Sequence, residues 1–320
     1  IIGYDAGKAL TSGANNVIIG RNAGNDTNGS NAVIIGSHAG DDQSPTNAVI
    51  IGYRAGRVIQ GENTTAIGYD ALKAATEPDN TAVGTYALTA LVDGENNTAL
   101  GIAAGYRIDK GDNSTFLGWY AGYQTTGSRN TFVGAEAGKG GTTSAPYSSG
   151  ENNTALGYQA LTGFTTGATN VAVGSYSLDA ITTGYANVGI GYYAGSDLTT
   201  GIRNVIIGQN AGLYETNNFN TYMGYEAGRG SSSGNASNTY NVGIGYQALK
   251  SVRTATQNVA VGHGAGASMD EGDYNVLLGP AAGTAITDGA SNVVIGRAAG
   301  ETMTTTGQTV LIGASAGNDI

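Results

Sequence analysis

The chain repeats one short pattern of polar and apolar positions. Residues 15–24, 31–40 and 47–56 read NNVIIGRNAG, NAVIIGSHAG and NAVIIGYRAG. In each copy, Asn precedes three apolar residues that end at a glycine, here called the anchor glycine. Positions are counted from it, so that −2 lies two residues before it and +3, usually Ala, three after. The pattern recurs 19 times from Gly3 to Gly313, mostly at steps of 16 or 17 residues. Such a period is typical of a solenoid in which each repeat forms one coil.

The short apolar run at positions −3 to −1 predicts a β-strand, because it is rich in β-branched residues and bounded by turn-forming residues. No run has the 3.6-residue period of an amphipathic helix. A second apolar position, about seven residues after the anchor glycine, indicates the inward residue of a second short strand. We therefore predict an all-β, parallel β-solenoid of about 19 coils, a single domain over 1–320 with longer connectors at 139–152 and 229–241.

The side chains of a strand alternate between two faces, so either position −2 or positions −3 and −1 of the apolar run point into the core. Because position −1 is always aliphatic and −3 always Val or Thr, we expect both to point into the core. The predicted core includes Ile19, Ile35, Ile51, Val133, Ile207 and Ile295. Position −2 then faces outward, as an apolar stripe that includes Ile18, Ile34, Ile50, Phe116, Phe132, Ile206 and Leu277. Since monomers rarely expose such a stripe, it predicts a homo-oligomer around a rotation axis.

Asn recurs four or five residues before nearly every anchor glycine. In stacked coils these amides would form a side-chain ladder, each bonding to the next, as in repetitive cross-β assemblies. The ladder is predicted to include Asn16, Asn80, Asn97, Asn130, Asn204 and Asn292.

The composition narrows the range of partners. The chain has 54 glycines and no cysteine, which leaves neither disulfides nor thiolate metal sites. Its formal net charge of −10 disfavours nucleic acid and anionic membranes as partners. No apolar run reaches the roughly 18 residues of a membrane-spanning helix, so we expect no membrane insertion within these residues. Because the chain starts in the middle of a repeat, we expect it to be a fragment of a longer fibre.

Residues that could carry chemistry are sparse. His38 and His263 lie too far apart along the solenoid to form one site. The acidic clusters lie in connectors, and the glycine-rich nonapeptide of calcium-binding β-rolls is missing. We predict no catalytic residue, metal or cofactor, and no enzyme. Aromatic residues after the anchor glycines are candidate glycan contacts, namely Trp119, Tyr120, Tyr158 and Tyr192. The alternative is that they shield the corner of the solenoid.

The copies NTTAIGYDAL (63–72), NNTALGYQAL (152–161) and NVGIGYQAL (241–249) resemble the NTAIGYxAL repeats of phage and bacterial fibre proteins. They are also similar to the head repeats of YadA-type trimeric autotransporter adhesins. The resemblance implies a left-handed β-roll and a homotrimer. It further implies a rigid spacer in a phage tail fibre or surface adhesin, located outside the cell, on its surface or on a virion. A cell-surface glycan or protein receptor would be the partner besides the chain itself.

Other functions remain open. A ligand- or ice-binding solenoid would favour flat Thr ladders, but Thr at position −3 occupies only seven copies and alternates with Val, which is consistent with an inward position. A self-polymerising extracellular filament is a further alternative. A glycan-cleaving fibre enzyme would need a carboxylate pair in one irregular coil, and no such pair stands out.

Overall fold

The computed structural model describes residues 1–41, 44–142, 145–231 and 237–318. Parts of both predicted connectors, residues 143–144 and 232–236, lie outside the described residues. The described residues form 18 strands of three residues each and no helix. The chain divides into two compact units, 1–166 and 167–320, here called unit 1 and unit 2. Each unit is a parallel β-solenoid, which confirms the predicted fold class.

Unit 1 contains nine strands, and each pairs in parallel with the next one along the chain. They are β1 Val17–Ile19, β2 Val33–Ile35, β3 Val49–Ile51, β4 Thr65–Ile67, β5 Thr81–Val83, β6 Thr98–Leu100, β7 Thr115–Leu117, β8 Thr131–Val133 and β9 Thr154–Leu156. Equivalent repeat positions are aligned, as in Val17 with Val33 and Thr131 with Thr154. The first repeat copy contributes one bridge, Ile2 with Ile19, rather than a strand.

Unit 2 contains the other nine strands in the same arrangement. They are β10 Val171–Val173, β11 Val188–Ile190, β12 Val205–Ile207, β13 Thr221–Met223, β14 Val242–Ile244, β15 Val259–Val261, β16 Val276–Leu278, β17 Val293–Ile295 and β18 Val310–Ile312. The register holds across the long connector of this unit, where Thr221 still pairs with Val242. Extra residues therefore lengthen a connector without shifting the strands.

Turns make up the rest of each coil. The anchor glycines have φ near +137°, as in Gly20, and a Cβ on Gly84 would overlap the carbonyl oxygen of Gly101 in the next coil. Only glycine satisfies both conditions. Position +2 is left-handed even when it is not glycine, as in Arg54 with φ 56°. Its amide donates to the preceding coil, for example from Arg54 to the Ser37 carbonyl. The corners thus continue the hydrogen bonding of the strands.

The predicted second strand is wrong, although its inward residue is placed correctly. Ile59, Leu91 and Ile108, seven residues after their anchor glycines, are fully buried. The chain curls there, because position +4 is left-handed and the +7 amide donates back to the +4 carbonyl. In the coil of Ile108, that bond runs from its amide to the Gly105 carbonyl. A turn closed in this way cannot extend into a strand.

The predicted facing of the strands is also wrong, and the two apolar sets exchange places. The residues predicted as the oligomer stripe are fully buried inside the solenoid: Ile18, Ile34, Ile50, Phe116, Phe132, Ile206 and Leu277. The residues predicted as core are partly exposed on the outer face: Ile19, Ile35, Ile51, Val133, Ile207 and Ile295. The physical reason lies in the core, which fills from position −2 together with positions +3, +4 and +7.

Positions −2 and +4 compensate for each other in size. The five copies with Leu at +4, which are Leu72, Leu88, Leu161, Leu178 and Leu249, all have Ala or Gly at −2. These leucines adopt φ between 45° and 54° and are fully buried. A left-handed Leu costs about 1–2 kcal/mol, and burial of its side chain gains about 1.5–3 kcal/mol. Where −2 is bulky, as at Phe132, glycine occupies +4, and a Cβ on Gly138 would overlap the ring.

Asn side chains form two ladders rather than one. The inner ladder is buried and lies at position −4: Asn97 Oδ1 accepts from the Ser114 amide at 3.0 Å, and its Nδ2 donates to the Gly111 carbonyl at 2.8 Å. The predicted Asn80, Asn130, Asn204 and Asn292 lie in it fully buried, and Asn16 partly so. The outer ladder is exposed at position −5, where Asn31 Nδ2 donates to Asn47 Oδ1 at 3.1 Å. The inner amides thus bond to backbone groups of the neighbouring coils, and in unit 2 also to each other, as from Asn204 Nδ2 to Asn187 Oδ1 at 3.0 Å.

Candidate assembly and ligand surfaces

The outer face of the strands is apolar and uncharged in both units. This surface, here called the strand face, consists of positions −3 and −1 of every strand. All of its residues are Val, Ile, Leu, Met or Thr. Leu100 and Leu156 are 46% and 48% exposed, and in unit 2 Met223 is 38% exposed. None of the strand-face residues is buried. An outer face without a charged residue is unusual for a strand in contact with water.

The area of this face is large for a single chain. Each unit contributes nine strands and therefore eighteen strand-face side chains. If about a quarter of roughly 100 Å² of apolar surface per side chain is exposed, each unit presents on the order of 500 Å². That equals the largest apolar patch of a typical monomer, and both units carry one. The strand face is therefore the candidate assembly surface.

Threonine forms an unbroken column on part of the strand face. Six consecutive strands of unit 1 have Thr at −3: Thr65, Thr81, Thr98, Thr115, Thr131 and Thr154. The column faces outward, not inward as the sequence interpretation assumed, and it is grouped in one region rather than alternating with Val. None of these hydroxyls has a hydrogen-bond partner among the described residues. The column therefore presents a regular row of hydroxyl and methyl groups to whatever covers the face.

A second surface of unit 1 is a continuous row of aromatic rings on the corner that follows the anchor glycines. This row, here called the aromatic ribbon, consists of Tyr53, Tyr69, Tyr86, Tyr106, Tyr123, Tyr120 and Trp119. Each ring contacts the next, with centroid separations between 4.4 Å (Trp119–Tyr120) and 6.1 Å (Tyr86–Tyr106). The ribbon crosses five coils, or about 19 Å at the usual strand spacing.

The rings of the ribbon keep part of their surface in solvent. Tyr53, Tyr69, Tyr86 and Trp119 are 43%, 40%, 37% and 45% exposed. Desolvation, followed by the neighbouring Tyr69, raises the pKa of Tyr86. Desolvation also raises the pKa of Tyr123. Both hydroxyls are therefore neutral hydrogen-bonding groups at physiological pH.

Cations lie against the ribbon at three places. The Arg107 guanidinium lies 4.9 Å from the centroid of Tyr106, the Arg54 guanidinium 5.9 Å from that of Tyr53, and the Lys139 ammonium 5.9 Å from that of Tyr120. These distances are within the range of cation–π attraction. The ribbon thus combines flat apolar faces with positive charge.

A pocket of about 240 Å³ opens at the first end of the ribbon. It is lined by His38, Tyr53, Arg54 and Arg57. The His38 Nδ1 atom lies 3.0 Å from Asp41 Oδ2, and Arg54 Nε lies 3.1 Å from Asp70 Oδ1. The pocket is therefore lined by basic groups, and the carboxylates that pair with two of them lie largely below the surface.

The predicted glycan contacts do not form one group. Trp119 and Tyr120 stack on each other and end the aromatic ribbon. Tyr158 is 44% exposed at the next aromatic position +1, two strands further on. Tyr192 belongs to unit 2, where it contacts Tyr193. Sequence reasoning missed Tyr106, because at position +5 it does not follow the anchor glycine Gly101 directly.

A carboxyl group, that of Glu215, lies inside the core of unit 2. Glu215 is fully buried at position +7, where other coils have residues such as Leu198 or Ile286. Its Oε1 atom accepts from the amides of Thr216 and Asn217 at 2.9 and 2.8 Å. Burial outweighs these bonds and raises the pKa of Glu215 to about 7. Oε2 has no hydrogen-bond partner among the described residues, so the buried carboxyl group destabilises this coil.

The described residues contain no group of three or more His, Cys, Asp or Glu residues placed to hold a metal ion. No described helix has the length and hydrophobicity needed to cross a bilayer.

No protein-family model matches the chain, and no curated protein matches it.

Proposed function

We propose that the chain is a structural segment of an extracellular fibre, such as a phage tail fibre or a bacterial surface adhesin, and that it assembles with copies of itself through the strand face. The observation that carries this proposal is the strand face, which is uncharged and partly exposed in both units. Three copies are favoured by the resemblance of the repeats to trimeric adhesin heads. The segment contributes stiffness and spacing, and no residue is assigned to catalysis.

A second copy of the chain is the partner that best fits the strand face. The face repeats once per coil, so a partner must present complementary side chains at the same spacing over many coils. An identical chain does so at every coil, and symmetric assembly brings equivalent patches together. Each unit presents on the order of 500 Å² of apolar surface, more than half of the roughly 800 Å² that a stable interface covers on each partner.

The interior supports the mechanical role. Each coil adds strand and corner hydrogen bonds, and most coils add an inner-ladder Asn that bonds to the next coil. The core remains filled because positions −2 and +4 compensate in size. Since neighbouring coils support each other in this way, bending a unit would break several of these contacts together.

The Thr column favours a second candidate function. An outward row of regularly spaced hydroxyl and methyl groups on an uncharged face suits a surface that orders water, as in ice binding. This function requires the Thr column to stay in solvent, whereas the fibre requires it to be covered. The two candidates therefore differ in whether the strand face is free.

Light scattering coupled to size exclusion separates these candidates. Assembly predicts three times the 32.1 kDa mass of the chain. Leu117→Glu, which puts a charge on the strand face, should shift the mass toward that of one chain. The matched control Gln209→Glu lies on an exposed corner and should not change it. A monomer that inhibits ice recrystallisation would replace the fibre proposal with the second candidate.

A further inference from the structure

We propose that the aromatic ribbon of unit 1 and its end pocket bind an acidic polysaccharide, a linear chain of sugar rings that carry carboxylate or sulfate groups. The proposal adds a ligand class to the attachment role proposed above, and it rests on one part of that role, the extracellular location that supplies the ligand. It does not depend on self-association, because all the residues involved belong to one chain.

The shape of the ribbon suits a linear chain of sugar rings. Contiguous exposed apolar surface of this kind marks ligand grooves and interaction sites. The ribbon is long and narrow, because its rings follow one another from coil to coil over about 19 Å. A sugar ring presents an apolar face of C–H groups to an aromatic ring and hydroxyl groups at its edge. Tyr69 and Tyr86 are both partly exposed and carry hydroxyl groups that could bond to such a sugar ring.

The exposed charge of the site is positive, although the whole chain carries −10. In each ion pair beside the ribbon, the cation is more exposed than the carboxylate. The Arg54 side chain is 28% exposed against 9% for Asp70. The Lys139 side chain is likewise more exposed than that of Glu136, at 33% against 13%. A ligand that approaches the ribbon therefore meets rings and cations first, which favours an anionic ligand.

The end pocket fits one charged sugar unit. Its volume of about 240 Å³ is below that of typical sites for drug-sized ligands. Tyr53, Arg54 and Arg57 all line the pocket, so an aromatic ring and two guanidinium groups border the same space. A guanidinium group binds carboxylate or sulfate oxygens through paired N–H donors. The pocket would hold one acidic unit while the chain continues along the ribbon.

Single-stranded nucleic acid is the competing macromolecule, since it also binds rings and cations. It carries one phosphate per nucleotide, so its binding depends on many positive contacts. The described cations beside the ribbon are few, and the rest of the chain repels a dense polyanion. A polysaccharide with more widely spaced charges fits the surface better.

Trp119 makes the test direct, because it is the single tryptophan of the chain and lies at the far end of the ribbon. The full chain is titrated with hyaluronan fragments, which carry one carboxylate per disaccharide, with keratan sulfate fragments, which carry sulfate but no carboxylate, and with dextran and oligothymidylate. Binding is measured by calorimetry and by Trp119 fluorescence. We expect at least one acidic saccharide to bind, with a fluorescence change and weaker binding at high salt. Binding of only one acidic saccharide assigns the charge as carboxylate or sulfate. Dextran should bind at least about ten-fold more weakly.

Variants locate the site. Tyr69→Ala and Arg57→Gln should each weaken binding at least about five-fold. The matched control is Tyr246→Ala in unit 2, a 46% exposed tyrosine stacked between Tyr225 and His263, which should leave binding unchanged. Circular dichroism and the light-scattering mass should be the same for all of these variants, so a failure of assembly is recognised separately.

Four results would overturn the proposal. They are no binding of either acidic saccharide, equal binding of dextran, tighter binding of oligothymidylate, or binding that Tyr69→Ala and Tyr246→Ala weaken equally. None of these results would bear on whether the strand face assembles.

Discussion

Ile206 and Ile207 are neighbours of the same residue type on opposite faces of β12, so they test the inside and outside of the solenoid as a matched pair. Ile206 is fully buried, and its Cδ1 atom fills the space beside the +4 glycines Gly195 and Gly212. Ile207 is partly exposed on the strand face. The perturbation is Ile→Ala at each position in turn.

The two substitutions should differ several-fold in their effect on the free energy of unfolding. Ile206→Ala removes buried carbon atoms and leaves a cavity in a core with little freedom to collapse, which costs about 2–5 kcal/mol. Ile207→Ala removes atoms that are already partly in water, so within one chain it should cost about 1 kcal/mol or less. Its larger effect should be on assembly, because Ile207 belongs to the strand face.

Guanidinium unfolding over a range of protein concentrations separates these effects. Repeat proteins need not unfold in one step, so hydrogen exchange over residues 200–212 should accompany the midpoints. The loss in Ile206→Ala should be independent of protein concentration, and the loss in Ile207→Ala should grow as assembly is favoured. If Ile207→Ala is the more costly change at every concentration, Ile206 does not face the core and the inside and outside of the strands are assigned wrongly.

Three further predictions concern the core and the ladders. Ala66→Ile should destabilise unit 1 by about 1–3 kcal/mol, and Leu72→Gly by about 2–5 kcal/mol. The double variant should recover most of the loss in denaturant midpoint, because the two positions compensate in size. Additive losses would contradict this compensation. Folding raises the pKa of Glu215 from 4.5 to about 7, so the folded state favours the protonated carboxyl group. Below pH 4.5 the wild type and Glu215→Gln should be equally stable, and between pH 4.5 and 7 the wild type should lose stability relative to the variant. Above pH 7 the variant should be the more stable protein in thermal unfolding, by about 3 kcal/mol. A difference that stays constant across pH would refute the raised pKa of a buried Glu215. Asn97→Ala leaves buried backbone groups without hydrogen-bond partners, so it should lower the free energy of unfolding by about 2–4 kcal/mol. The exposed Asn47→Ala should lower it by well under 1 kcal/mol. Similar chemical denaturation curves for the two variants would argue against two distinct ladders.

The sequence predicts the fold class because the period and the constant glycines act locally. The anchor glycines require a positive φ and close approach between coils, and both demands recur in every copy. The same locality places the inner-ladder Asn, since an amide at −4 reaches the next coil directly. These features do not depend on how the rest of the coil is packed.

The facing of the strands could not be obtained from the constancy of single positions. Position −1 is always aliphatic but lies outside, and position −2 varies from Gly189 to Tyr222 but lies inside. Variation is tolerated inside because neighbouring positions compensate, as when a Cβ on Gly189 would overlap Leu178 of the preceding coil. The pairing of Leu at +4 with Ala or Gly at −2 is visible in the sequence, and it is the signal that would have identified the core.

The candidate surfaces depend on distances between coils that the sequence does not display. Tyr106 and Tyr123 complete the aromatic ribbon only because position +5 lies on the same corner as positions +1 and +2. Glu215 was likewise not distinguished from connector acids, although its position +7 is otherwise a core position. Once the coil geometry is known, both assignments follow from the repeat positions.

The most direct test of assembly is whether the strand face is covered in solution. The chain has no cysteine, so single cysteines can be placed as reporters at Leu117, 40% exposed in one chain, and at the exposed Glu95 in a connector. Assembly through the strand face predicts that maleimide labels Glu95→Cys quickly and Leu117→Cys many times more slowly, with the difference lost on dilution to single chains. Equal, rapid labelling of both cysteines in the native protein would show a free strand face and contradict assembly through it.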